Sequence, residues 1–190
     1  MGYDYVKRND ITEENIYELY KILSKNSLEE NEKLKSNNYY RHDDVNIVNS
    51  VRIVVDRGVD HALIPKLIKD LIDYIHKDKT YEEHLIASHV IHYYLVFLHP
   101  YFDFNGRMAR VLSFWYNYKY VRTLSLLLVS EAINNNVYKN GYYNAIANSK
   151  QMENDITYFL EFMGSIILKY SKVYINFYSI LEKLKGAEFF

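Results

Sequence analysis

The stretch from His99 to Arg110 reads HPYFDFNGRMAR, and its flanks decide the fold. Upstream, Tyr81 to Leu98 is mostly apolar, with Leu85, Ile86, Val90, Ile91 and Phe97 recurring at helical spacing. Pro100 disfavours helical geometry at the residue before it, so this helix is expected to end at His99. Downstream, Arg107 to Tyr118 is again apolar at helical spacing through Val111, Leu112, Trp115 and Tyr116. Asn105 suits the N-cap of that second helix. A loop between two apolar helices therefore gathers a histidine, an acid, an Asn-Gly pair and two arginines.

Those residue types have a shared chemistry. A histidine at a helix C-terminus can move a proton. The free backbone N–H groups at a helix N-terminus bind phosphate oxygens, aided by the helix dipole. Arg107 and Arg110 project from similar faces of the first turn. Arginine's planar fork grips phosphate through two bonds. Asp103, in the loop, can approach a Mg²⁺ ion that keeps its waters and bridges to phosphates. The loop is equipped for a phosphate-bearing substrate.

Working outward, Ile11 to Leu23 reads as a helix capped by Thr12, with Glu13 and Glu14 in its first turn. Residues 24–36 are polar, with Leu28 and Leu34 as anchors. Val45, Ile47, Val51, Ile53 and Val55 alternate around Asn49-Ser50, which reads as a hairpin. Ile64 to His76 is an amphipathic helix with Pro65 at its start. An apolar run at Leu124 to Ile133 precedes helices at about Val137 to Asn148 and Asn154 to Lys185. The fold class is all-α with one small β-hairpin.

Composition bounds the function. The chain has 190 residues and a formal net charge of −1, which gives no electrostatic case for nucleic acid or a membrane surface. It has no cysteine, so disulfides and thiolate metal sites are excluded. The N-terminus MGYDYVKRND lacks a secretory pattern, and no apolar run approaches the roughly 20 residues of a bilayer span. A cytoplasmic location is expected. The 21 tyrosines read as codon bias alongside abundant Asn, Lys and Ile, with exposed ones open to self-modification.

The motif resembles the Fic signature HPF-x-(D/E)-G-N-G-R-x-x-R at His99, Pro100, Asp103, Asn105, Gly106, Arg107 and Arg110, with Tyr101 for the usual Phe. Weaker echoes run from Tyr39 to Leu160. The resemblance implies a single Fic-type helical domain over 1–190. Its parts are an N-terminal helical segment (1–38), a core (39–160) and a C-terminal helix (161–190). It implies transfer of AMP from ATP to a Ser, Thr or Tyr hydroxyl of a target protein, the chain itself included. Homo-oligomers are compatible with it. It makes His99 the general base and Asp103 the ligand for Mg²⁺ or Mn²⁺. Asn105 and Arg107 hold the α- and β-phosphates, Arg110 the γ-phosphate, and Gly106 favours nucleotidyl transfer over the phosphorylation carried out by Doc relatives, which carry Lys there.

Further roles follow from the same resemblance. The hairpin is placed as a flap that docks a target segment as an added strand, through Val51, Arg52, Ile53, Val54 and Val55. Tyr142 or Tyr143 is placed against the adenine. Many similar proteins carry an inhibitory helix, (S/T)-x-x-x-E-(G/N), whose Glu pairs with the second motif arginine. A degenerate version at Asn26 to Asn31 makes Glu29, then Glu30, the expected inhibitory residue, against a plain solvated turn.

One residue departs from the pattern: Phe104 stands where the signature has its first glycine. If that position needs positive φ, an aromatic residue there is costly, and its ring is expected beside the phosphates. Two alternatives therefore stay open. One is a Fic-like nucleotide-binding module impaired by Phe104. The other is a metal-dependent phosphohydrolase using His89, His92, His99 and Asp103, since histidines three residues apart on a helix can share a metal.

Overall fold

The computed structural model describes residues 2–48, 54–123, 125–134 and 136–187. Its contacts divide the chain into two compact units, Met1–Arg122 and Thr123–Phe190. The described residues form an all-α fold with one small hairpin, as the sequence led us to expect.

The first unit holds helices α1 (Gly2–Arg8), α2 (Glu13–Ser24), α3 (Ile64–His76), α4 (Tyr81–Leu98) and α5 (Asn105–Tyr120). Thr12 caps α2, its hydroxyl accepting from the Asn15 amide at 3.2 Å. Pro65 stands in the first turn of α3. Thr80 and Glu83 form a reciprocal capping box that starts α4. Helices α4 and α5 meet through small residues: Ala87, Ser88 and Ala109 are fully buried, and the Ser113 hydroxyl donates to Ser88 O across the pair at 2.6 Å. Ile91, Leu95 and Leu112 fill the interior behind them. Burying such a side chain stabilises the fold by roughly 1.5–3 kcal/mol.

Helix α1 is absent from the sequence expectation. Seven residues are too few for a periodic signal, and tertiary contacts hold it: Val6 is buried, and Tyr5 packs edge-on against Trp115 at 6.1 Å. The tyrosines also have more structure than codon bias suggests. Tyr20 stacks on Tyr101 of the motif at 3.9 Å, Tyr40 lies 6.4 Å from the same ring, and Tyr17 stacks on Tyr39 at 4.6 Å. This aromatic pile, built from α2 and the segment before the hairpin, carries the motif loop.

The hairpin pairs β1 (Asn46–Val48) with β2 (Val54–Arg57) in antiparallel register, Ile47 opposite Asp56 and Val48 opposite Val54, with an irregularity between Ile47 and Val48. The expected turn at Asn49-Ser50 and the flap residues Val51, Arg52 and Ile53 lie outside the described residues, as does the side chain of Val55. Val48 and Val54 are both about half exposed.

The second unit contains α6 (Ser125–Asn134), α7 (Asn136–Gln151) and α8 (Thr157–Ala187). Gly141 lets α7 approach α8 closely, because a Cβ there would meet the Phe162 ring at 2.7 Å. No described helix is long and apolar enough to cross a membrane.

Candidate active site

Two left-handed residues bracket the motif loop. His99 ends α4 with φ 52°, and Phe104 precedes α5 with φ 69°. Neither is glycine, so each strains the backbone by about 1 kcal/mol or more. The loop keeps this shape because its polar groups are closely tied. Asn105 Oδ1 accepts from the Tyr101 amide at 2.9 Å, while its Nδ2 donates to Tyr101 O at 2.8 Å. That double clip corrects the expected role of Asn105. The helix begins at Asn105 with Phe104 in the cap position, and the Asn105 side chain is spent on the loop rather than on the helix amides.

Arg41 is the second tie, and sequence reasoning missed it. It is 2 % exposed. Its backbone N–H donates to Pro100 O at 2.9 Å, its Nε to His99 O at 2.7 Å and its Nη1 to Asp43 O at 2.6 Å, while Nη2 reaches Val59 O. Burial lowers its pKa, but four carbonyls satisfy its charge and backbone. Gly58 leaves room for it: a Cβ there would stand 2.7 Å from Nη2 and 2.8 Å from Val45 Cγ1. A lone arginine 58 residues before its partner carries no local signature, which is why periodicity could not find it.

His99 Nδ1 lies 3.0 Å from Val96 O. A carbonyl only accepts, so Nδ1 carries the hydrogen and the neutral ring has its lone pair on Nε2. Asp103 is exposed, and its Oδ1 accepts from the Phe104 amide at 2.6 Å. That bond fixes the carboxylate and leaves Oδ2 for a hard cation, so a single loop carboxylate with phosphates as co-ligands fits Mg²⁺.

The first amides of α5, those of Asn105, Gly106 and Arg107, are the ones a helix cannot satisfy from its own backbone. Gly106 has ordinary helical φ, and a Cβ there would meet only Arg110 Nη1 at 3.6 Å. The Arg110 guanidinium therefore turns back toward the amide end of the helix. Arg107 is exposed, with its Cζ 3.8 Å from the centre of the Phe104 ring. The Phe104 ring is 3 % exposed and belongs to the core. The ring expected beside the phosphates thus lies beneath an arginine instead.

Other expected residues are placed differently. In α4 His92 is buried and His89 half-buried, and desolvation depresses their pKa values to about 3 and about 4, with His89 and the Arg110 charge adding to the effect at His92. They do not converge with His99 and Asp103 on a common point. Among the described residues, the one group of three close metal-binding side chains is the exposed Asp44 and Asp60 with the half-buried His61. The hydrolase arrangement is therefore not assembled. Glu29 and Glu30 are both exposed. Glu30 pairs with Lys33, and Glu29 caps a short 3-10 turn, Glu30–Glu32, its amide donating to Glu32 Oε2 at 2.9 Å. Among the described residues no carboxylate is ion-paired with Arg110, so the expected Glu–Arg110 lock is absent. In the second unit Tyr142 is buried edge-on against Phe159 at 6.1 Å, and Tyr143 is exposed.

Comparison with known proteins agrees with this geometry. The model of the Fic/DOC family matches residues 10–116. No curated protein matches the chain significantly. A crystal structure of a Fic family protein from Desulfovibrio desulfuricans G20 shares the fold at 24 % identity and a TM-score of 0.76, over 92 % of this chain and 50 % of that one. The chain thus spans half the length of that relative. From its helix–loop–helix motif and the family match over more than half its length, the chain belongs to the Fic/DOC family.

Proposed function

We propose that this protein is an adenylyltransferase that moves AMP from ATP to a hydroxyl side chain of a target protein. The observation that carries the reading is His99. Its Nδ1–H is committed to Val96 O, which puts the basic lone pair on Nε2, one loop away from the amide end of α5 and its two arginines. In the reaction the target oxygen attacks the α-phosphorus, the bond from that phosphorus to the bridging oxygen of pyrophosphate breaks, and the hydroxyl proton passes to His99 Nε2. The α5 amides, the backbone N–H of Asn105 among them, hold the α- and β-phosphates together with Arg107, and Arg110 holds the γ-phosphate. Asp103 would hold Mg²⁺, which when bound neutralises phosphate charge. The exposed Val48 and Val54, paired across the hairpin, suit an extended target segment added along its edge.

Incubation with labelled ATP and Mg²⁺, followed by intact-mass analysis of the protein and of lysate proteins, tests this. The expected result is addition of AMP. Addition of phosphate instead would reassign the reaction to phosphoryl transfer, and ATP binding with no transfer to any protein would make the chain a binding module.

A further inference from the structure

The position that breaks the family signature has its own geometry. Phe104 sits at φ 69°, where a glycine is unstrained and an aromatic residue is not. Strain of that kind persists only where something compensates it. The ring's burial is one compensation, and any large apolar side chain would supply it. The second is specific to an aromatic face. The Arg107 guanidinium lies over the ring with Cζ 3.8 Å from the centroid, one helical turn on from Phe104.

Stacking of this kind uses the flat face of the guanidinium and leaves its N–H groups, which lie in the plane, directed outward. A stacked arginine can therefore still grip an anion edge-on through two bonds. Arg107 is otherwise an exposed, long side chain with much rotamer freedom to lose on binding. Holding it in place beforehand lowers that cost.

We propose that Phe104 is a positioning residue: its ring is the platform that holds the Arg107 guanidinium at the amide end of α5, in place to grip a nucleotide phosphate. This rests on the reading that Arg107 binds phosphate. The aromatic departure from the signature is then a gain in pre-organisation rather than damage to the loop.

The test compares Phe104→Leu, Arg107→Ala and the double variant. Leucine is as costly at positive φ and still fills the core, so it removes only the aromatic face. Equilibrium binding of ATP with Mg²⁺ is expected to weaken ~3–10-fold in Phe104→Leu. The double variant should bind no more weakly than Arg107→Ala alone, because the ring acts through the arginine. In steady-state transfer the loss should appear in KM for ATP with kcat little changed. In the wild-type protein the Arg107 Nε–H proton resonance should be shifted upfield by the ring, and lose that shift in Phe104→Leu.

Wild-type ATP affinity in Phe104→Leu, beside a weakened Arg107→Ala, overturns the inference alone. So does an unshifted Arg107 Nε–H in the wild-type protein, a result that needs no variant to fold. Wild-type affinity in Arg107→Ala overturns the phosphate reading of the site, and the inference with it.

Discussion

Arg41 Nε donates to the carbonyl oxygen of His99 at 2.7 Å, so a buried cation holds the backbone of the proposed catalytic base. The same guanidinium reaches Asp43 O and Val59 O on either side of the hairpin. Removing it takes the side-chain donor from the part-buried carbonyls of His99, Asp43 and Val59. Arg41→Ala should cost about 3 kcal/mol or more in stability, measured by urea unfolding. Arg41→Lys should recover only part of this, because a single ammonium cannot span the three carbonyls that the guanidinium serves. Full recovery by lysine would show that charge, not the planar fork, is what matters.

His99→Ala should lower the transfer rate by roughly 10²–10⁴-fold, the usual effect of losing a general base. ATP affinity should change little, because the α5 amides and both arginines stay in place. A variant that labels targets at the wild-type rate would remove His99 from the mechanism.

The exposed positions of Glu29 and Glu30 give a concrete expectation for regulation. Replacing both with glycine should leave transfer and ATP affinity at wild-type values, with a stability change within about 0.5 kcal/mol. A clear rise in transfer would mean that one of them reaches Arg110 in solution after all.

His89 and His92 make stability depend on pH in a definite direction. Their folded pKa values, about 4 and about 3, lie below the ordinary 6.5. Well above pH 6.5 both rings are neutral in either state, so these groups add no pH dependence there. As the pH falls below 6.5 the unfolded chain takes up protons that the folded one refuses, and stability declines toward pH 4. The slope approaches about 1.4 kcal/mol per pH unit for each group. Urea unfolding at a series of pH values measures the slope, and His92→Gln should make it shallower by one group. NMR shifts of a His92 ring already charged at pH 5 in the folded protein would contradict this.

The sequence revealed the helices around the motif because their apolar spacing runs over several turns and their ends carry Thr12, Pro65 and Pro100. It revealed the site's residue types for the same reason: they are packed into one short string. What stayed hidden is long-range or conformational. Arg41 meets His99 only through the tertiary fold. Asn105 has the composition of a helix cap, and only the loop's path turns its amide onto Tyr101 instead. Phe104 looked like an obstruction because a sequence gives the size of a ring but not the side of the backbone on which it lands. Glu29 and Glu30 matched a loose pattern whose physical content, a carboxylate facing Arg110, the fold does not supply.

Trp115 has an optical consequence. It is the chain's single tryptophan, fully buried in the first unit, with Tyr5 edge-on against it. Tryptophan emission will therefore report melting of the motif-bearing unit that holds it. Far-ultraviolet circular dichroism sees the helices of both. If the two signals melt at different temperatures, the protein unfolds in two steps, and a single unfolding free energy does not describe it.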